Sequence, residues 1–82
     1  MIVNTHTYRN HTILVDFSYD RGTRKYRPMA SISWKISEVE EGQYFLNSKE
    51  RCDASLYALS VALNEAVAWI DRRMLESKVV NQ

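Results

Sequence analysis

The densest set of functional side chains is a short run of four cations and a tyrosine, between two segments that alternate like strands. Arginine and lysine in such a loop can contact phosphates while tyrosine stacks on a base, which is the chemistry of a nucleic-acid interface. The same side chains would suit an acidic protein surface, because arginine is favoured at interfaces. They would also suit a solvated hairpin loop. The residues are Arg21, Arg24, Lys25, Tyr26 and Arg27.

The charge distribution bears on these three alternatives. The chain has 82 residues and a formal net charge of +1, whereas nucleic-acid-binding domains are usually basic overall. Residues 1–35 hold six Lys/Arg and two Asp/Glu, while residues 36–82 hold five and eight. The sequence therefore favours a solvated loop over a nucleic-acid site, and it indicates a dipolar protein rather than a general polyanion binder.

Residues suited to metal binding or catalysis are few and poorly spaced. His6 and His11 are five residues apart, which fits neither one strand face nor a helical zinc pair. Cys52 lies near a predicted helix N-terminus, which would favour its thiolate, but nothing assigns it a general base. The acidic run within residues 38–41 is typical of a solvated loop. We therefore predict no metal, no cofactor, no catalytic residue and no small-molecule substrate.

Length and composition indicate a single globular domain over residues 1–82. Apolar residues make up 45% of the chain and charged residues 26%, which is ordinary for a folded protein. The N-terminus lacks the basic start and apolar core of a secretion signal, and no segment is apolar for long enough to span a bilayer. Cys52 has no partner for an intrachain disulfide. We expect a cytoplasmic protein that does not enter a membrane.

Alternation predicts the strands. Residues 12–20 and 28–37 alternate between an apolar and a mainly polar face, with Leu14 on the same face as Asp16 and Ser18, and this period of two is that of a half-buried strand. Pro28 suits the first residue of its strand, where a missing N–H does least harm. Residues 43–47 indicate a third strand, and residues 2–8, whose alternation is poor, would make a fourth.

The polar side of the two alternating strands is predicted to be small and flat. Such a face is most often the wet side of an antiparallel sheet, with a recognition surface as the alternative. Its members are Thr12, Asp16, Ser18, Ser31, Ser33, Lys35 and Ser37.

A long helix is predicted over residues 53–77, because no Gly or Pro interrupts it and Ala, Leu and Glu dominate. Asp53 suits the N-cap, with Ser48 as a competing start. One apolar stripe at helical spacing is expected to cover the sheet: Leu56, Leu59, Leu63, Val67, Ile70 and Met74. The predicted fold is α+β, a three- to four-stranded antiparallel meander over residues 1–47 with one C-terminal helix on one face.

The predicted helix carries more apolar surface than one sheet can cover. A second stripe, with Ala58, Ala62 and Trp69 beside it, lies roughly opposite the first. Exposed apolar patches commonly mark interfaces, so we predict a contact with a partner protein or a second copy, against the alternative of scattered surface hydrophobics. The predicted interface residues are Tyr57, Val61, Ala68, Trp69 and Leu75.

These patterns predict a small non-enzymatic protein–protein interaction module, with the segment 21–27 as a charged docking element. In size and plan the chain resembles the small accessory proteins of phages and mobile elements, which include inhibitors of host defence. That resemblance implies action by covering a protein surface, and it transfers no functional residue. The alternative function is nucleic-acid binding through the same segment.

Overall fold

The computed structural model describes the backbone of residues 4–80 and the side chains of residues 4–76. It confirms the predicted α+β fold, with a four-stranded antiparallel sheet in the order β1-β2-β3-β4 and one helix packed on a single face. The predicted N-terminal strand is present from Asn4, and residues 2–3 lie outside the described part. The elements are β1 (Asn4–Tyr8), β2 (His11–Asp20), β3 (Lys25–Lys35), β4 (Glu41–Asn47) and α1 (Ser55–Val80).

The covered face of the sheet comes from the two strands whose alternation was cleanest. Ile13 and Val15 of β2 and Ala30 and Ile32 of β3 are buried beneath α1. They lie side by side, because the β2–β3 register places Ile13 opposite Ile32 and Val15 opposite Ala30. Burying a Val or Ile side chain contributes roughly 1.5–3 kcal/mol, so this layer holds the sheet and helix together.

Pro28 does not begin its strand, because β3 starts three residues earlier at Lys25. Tyr26 exchanges two backbone hydrogen bonds with Cys52, and the carbonyl of Pro28 accepts from Ser48. Alternate residues of a strand turn their backbone groups to the same side, so the N–H that Pro28 lacks would also face the β4 side. The regular pairing of β4 has already ended there, at Asn47. The proline therefore interrupts no ladder hydrogen bond.

A two-residue turn at Arg9 and Asn10 joins β1 to β2, and both residues have positive φ angles, 50° and 65°. This is the geometry of a type I′ hairpin turn, in which asparagine is favoured and arginine is not. Two side-chain contacts tie the hairpin to α1: the Tyr8 hydroxyl donates to Asp71 at 2.7 Å, and Arg9 donates to the same oxygen at 2.9 Å. The helix therefore supports an otherwise unfavourable turn.

The predicted N-cap is wrong by one residue. The Ala54 carbonyl accepts the first helical hydrogen bond, from Ala58, so Ala54 occupies the cap position and α1 begins at Ser55. Asp53 instead forms an ion pair with Lys25 at 3.0 Å. The carboxylate is engaged by the β2–β3 hairpin rather than by the helix.

The helix face that meets the sheet includes the predicted stripe apart from Leu56, since Leu59 and Ile70 are in the core and Leu63, Val67 and Met74 pack against it. Its centre is shifted toward the alanines beside that stripe. Ala58, Ala62 and Ala66 are fully buried and Ile70 lies with them, whereas Leu56 is 77% exposed. Small side chains let the helix axis lie close to the strands, so the alanines occupy the centre of the contact and the larger side chains flank it. The prediction that Ala58 and Ala62 lie toward the outer stripe was wrong for this reason.

The Asp71 contacts predict a pH dependence of stability. The Tyr8 hydroxyl, and then the Arg9 guanidinium, lower the pKa of Asp71 below its ordinary value of 3.8. A carboxyl whose folded pKa is depressed stabilises the fold above its unfolded pKa, and that contribution is lost as the pH falls through the folded pKa. We therefore expect the free energy of unfolding to decrease below about pH 4, and Asp71→Asn to flatten the decrease.

Urea unfolding of both proteins at about pH 6 and about pH 3 measures this change. Glu38→Gln, which alters an exposed loop carboxyl, is the control. An Asp71→Asn variant with the same pH profile as the wild type would contradict the assignment.

Candidate functional site

The side of the sheet that faces away from α1 has an apolar centre. The strand registers place Thr5, Leu14, Ser31 and Phe45 in one row across the four strands. Phe45 is 67% exposed and Leu14 is 40% exposed. Together with Met29 they line a depression of about 200 Å³, bordered also by Asp16, Ala30, Leu46 and Asn47. We call Leu14, Met29 and Phe45 the open-face patch.

The open-face patch lies on the face that was predicted to be flat, polar and small. The polar residues predicted there do occupy it, but Met29 lies between Arg27 and Ser31 along the same side of β3 and Phe45 extends that side onto β4. The sequence contained one signal for Phe45. Successive side chains of a strand point to opposite faces, so Phe45 cannot share a face with its apolar neighbours Tyr44 and Leu46. Only the register shows that Phe45 points away from the helix.

The outer edge of β4 is the second feature of this region. The backbone N–H and C=O groups of the even-numbered residues of β3 point toward β4. Their register partners on β4, which are Gly42, Tyr44 and Leu46, direct their own backbone groups toward β3. The backbone N–H and C=O groups of the odd-numbered residues therefore point outward, away from the sheet. These residues are Glu41, Gln43, Phe45 and Asn47.

The interface predicted on the helix is distributed over two environments. Tyr57 and Leu75 are 63% and 64% exposed on the outer face, and Ala68 is also exposed while Val61 is partly covered. Trp69 lies elsewhere, stacked on Tyr44 with ring centroids 4.5 Å apart and planes 7° from parallel. Trp69 therefore packs within its own chain.

Trp69 belongs to an aromatic cluster at the C-terminal half of α1. Trp34 packs against Trp69 and His11, and the Arg73 guanidinium carbon lies 4.3 Å from the Trp34 ring centroid. Arg73 also pairs with Glu40 at 3.0 Å. The cation–π contact and the ion pair hold the β3–β4 loop against the helix.

His11 is a buried member of this cluster with both ring nitrogens engaged. Nδ1 lies 2.7 Å from the Arg9 carbonyl, which can only accept, and Nε2 lies 3.3 Å from Arg73, which can only donate. The ring therefore carries its proton on Nδ1. A histidine held on both sides has no nitrogen left to bind a metal or to act as a general base.

The basic segment is divided by the fold. Arg21 and Arg24 are exposed in the β2–β3 turn, where Asp20 accepts a hydrogen bond from the Gly22 N–H that lowers the pKa of its carboxyl. Lys25 is paired with Asp53. Of the remaining two residues, Tyr26 meets the Phe17 ring edge-on and Arg27 is half-buried.

Cys52 is not an activated nucleophile. Its side chain is buried beside Tyr26, three residues before α1 begins. Burial, with the charge of Glu50 adding to it, raises the pKa of the thiol. The expectation that the helix start would favour the thiolate is therefore contradicted.

We expect the Cys52 thiol of the folded protein to react with a thiol reagent on the order of 100-fold more slowly than an exposed thiol, because reaction requires opening of the fold. Absorbance assays with a chromogenic disulfide, with and without urea, measure the rate. The matched control is Ser60→Cys in a Cys52→Ser background, since Ser60 is exposed on α1. Equal native rates at the two positions would contradict the burial of Cys52.

Among residues 4–76, no three His, Cys, Asp or Glu side chains gather in a group that could hold a metal ion. In the same part of the chain, no helix combines the length and apolar character needed to cross a membrane. Comparison with protein families, with curated proteins and with solved structures gives no match.

Proposed function

We propose that this protein is a non-enzymatic protein–protein interaction module that binds its partner through the open face of the sheet. The observation that supports this most is the apolar depression at the centre of a sheet face that no element of the described chain covers. An uncovered antiparallel face is ordinarily polar. A large aromatic side chain such as Phe45, left 67% exposed there, is the kind of residue that anchors interfaces.

The depression indicates the chemistry of the partner. Leu14, Met29 and Phe45 supply apolar walls, and a volume of about 200 Å³ has room for one large aliphatic or aromatic side chain. Asp16 and Asn47 stand at its border with oxygens that can accept hydrogen bonds. We infer that the partner presents an apolar side chain flanked by hydrogen-bond donors, a common arrangement of hot spot and polar rim.

A module of this size would act on its partner by binding to a surface of that partner and blocking it. That mode agrees with the resemblance in size and plan to phage and mobile-element accessory proteins, and it requires no catalytic residue. A single reduced thiol suits the cytoplasm, where we place the protein.

The proposal predicts that capture depends on the open-face patch. Tagged wild-type protein would be used to capture proteins from its native cells after nuclease treatment, beside Leu14→Ser/Phe45→Ser. We expect this variant to lose a captured protein at least about 10-fold, because each anchor residue of an interface contributes about 1–2 kcal/mol or more. Circular dichroism would show that it remains folded.

The matched control is Tyr57→Ser/Leu75→Ser, which removes two similarly exposed apolar side chains from the outer face of α1. Capture that survives the sheet variant and is lost with the helix variant would overturn the proposed site in favour of the helix face. Capture that disappears on nuclease treatment would overturn protein binding itself.

Nucleic-acid binding is the second candidate function, favoured by the exposed Arg21 and Arg24 beside Tyr19 at the hairpin tip. We expect Arg21→Ala/Arg24→Ala to reduce the log–log salt slope of any DNA or RNA binding by about 2, since each phosphate contact contributes about 0.9 for duplex DNA. Lys25→Ala, which removes a lysine already paired with Asp53, is the control. An unchanged slope would exclude the hairpin tip as the binding site.

A further inference from the structure

The outward edge of β4 carries backbone hydrogen-bonding groups without a partner in the described part of the chain. Natural proteins protect sheet edges with charged side chains, Pro, bulges or a covering element. Residues 41–47 contain no Pro and one charged residue, Glu41 at the start of the strand, and α1 packs mainly on β2 and β3 rather than on β4. An unprotected edge of seven residues, with Tyr44 and Phe45 exposed on it, is a template for another strand.

We propose that β4 pairs with β4 of a second copy of this chain, in an antiparallel register centred on Phe45, to make one eight-stranded sheet. This inference rests on the proposed function, because it doubles the surface that the partner protein would meet. The register places Phe45 opposite Phe45 and Gln43 opposite Asn47 of the second copy. The outward groups of Gln43, Phe45 and Asn47 then bond each other across a two-fold axis, as an isologous contact requires.

Charge complementarity is the reason for choosing a second copy as the occupant. Glu41 begins β4 and Lys49 follows its end, and both are exposed. Neither has an ion-pair partner in the described part of the chain. In the register centred on Phe45, each Glu41 lies opposite the end of β4 of the second copy, next to the bend that carries Lys49. The two-fold axis therefore brings two opposite-charge pairs within reach of each other. A register centred on Tyr44 would place Glu41 opposite Asn47 and lose them.

The two copies can pair along β4 without a steric clash between their helices. The axis of α1 lies above β2 and β3, so strand spacings of about 4.8 Å separate the two helices by roughly 19 Å. A helix with its side chains is about 10 Å wide, so the helices do not collide. The two open faces lie on the same side of the joined sheet. The two Phe45 side chains, directly opposite each other, join both open-face patches into one apolar surface.

A proline at an outward position tests the pairing without disturbing β3. Gln43→Pro removes an N–H that points away from the sheet, so the β3–β4 ladder stays intact while two intermolecular hydrogen bonds are lost. We expect dimerisation to weaken roughly 5- to 150-fold in sedimentation equilibrium, at about 0.5–1.5 kcal/mol for each bond. The matched control is Gln43→Ala, which keeps the N–H. Circular dichroism would show that both variants fold.

A charge exchange tests the register. We expect Glu41→Lys and Lys49→Glu to weaken dimerisation about 2- to 30-fold each, because two cross-strand charge pairs are replaced by like charges. The double variant should restore wild-type dimerisation. A wild-type protein that stays monomeric throughout the micromolar range, or a double variant no tighter than the single ones, would overturn the proposal.

The self-pairing of β4 and the proposed function can fail independently of each other. A monomer that still captures a protein through the open-face patch overturns the self-pairing and leaves the proposed function standing. A monomer whose capture is lost with Gln43→Pro would mean that β4 accepts a strand of a different protein, which also overturns the second copy as occupant. A dimer that captures no protein overturns the proposed function alone.

Discussion

Replacing Ile32 with alanine is expected to remove about 2–5 kcal/mol from the free energy of unfolding, the cost of a cavity in a packed core. Ile32 is fully buried in the middle of β3, with Ile13 beside it on β2 and α1 above it. Small domains have only about 5–15 kcal/mol of stability in total. The midpoint temperature of unfolding should therefore fall by at least about 8 °C.

Thermal and urea unfolding followed by circular dichroism measure this loss. The adjacent Ser33→Ala is the matched control, because Ser33 is exposed on the open face and its replacement should change stability by no more than about 0.5 kcal/mol. Equal stabilities of the two variants would contradict the placement of the core between β3 and α1.

Gly42→Ala is expected to destabilise the fold by about 1–3 kcal/mol through overpacking. A Cβ added at Gly42 would lie 2.6 Å from Cζ2 of Trp34, closer than carbon atoms approach. Trp34 cannot simply move aside, because the Arg73 guanidinium and the Trp69 ring pack against it. Urea unfolding measures the stability change, and tryptophan fluorescence should report the displaced ring.

Two further variants test whether the cost of Gly42→Ala comes from contact with Trp34. Gly22→Ala should have little effect, because its added Cβ would meet only the end of the Asp20 side chain at 3.3 Å. In a Trp34→Phe background, which lacks the Cζ2 atom, the cost of Gly42→Ala should shrink by at least about 0.5 kcal/mol, a measure of coupling between neighbouring residues. An unchanged cost there would mean that the strain lies in the backbone and not against Trp34.

The fold class could be predicted from the periodicity of apolar residues, because that periodicity is clearest in β2 and β3, the strands that form the core. The side of β2 that carries Ile13 and Val15, and the alternation of Ala30 and Ile32 with serines, appear directly as the covered face. The helix followed from its composition and from the helical spacing of its apolar residues. Antiparallel order was the natural result of short connections between successive strands.

The rotation of the helix could not be predicted, because apolar side chains surround much of it. Hydrophobicity favoured Leu56 as a contact, but close approach to the sheet selects small residues such as Ala62 and Ala66. Asp53 satisfied the rule for an N-cap, yet its carboxylate is engaged by Lys25 from a strand far away in sequence. Both errors come from tertiary contacts that a local pattern does not contain.

The open-face patch was missed for a related reason. Leu14, Met29 and Phe45 come from three strands, and each stands in the sequence between two other apolar residues that face the helix. Their proximity depends on register, which is fixed by strand pairing as a whole. The same holds for the edge of β4, where backbone direction decides which amides remain free.

The most direct test is amide hydrogen exchange, followed residue by residue by NMR at low and at high protein concentration. It shows whether the uncovered edge of the sheet is the surface through which this protein binds a second copy. At low concentration the amides of Gln43, Phe45 and Asn47 should exchange quickly while those of Tyr44 and Leu46 are protected by β3. At high concentration the three odd-numbered amides should slow. Slowing confined to the outer face of α1 around Tyr57 and Ala68, or no concentration dependence anywhere, would contradict the pairing of β4 with a second copy.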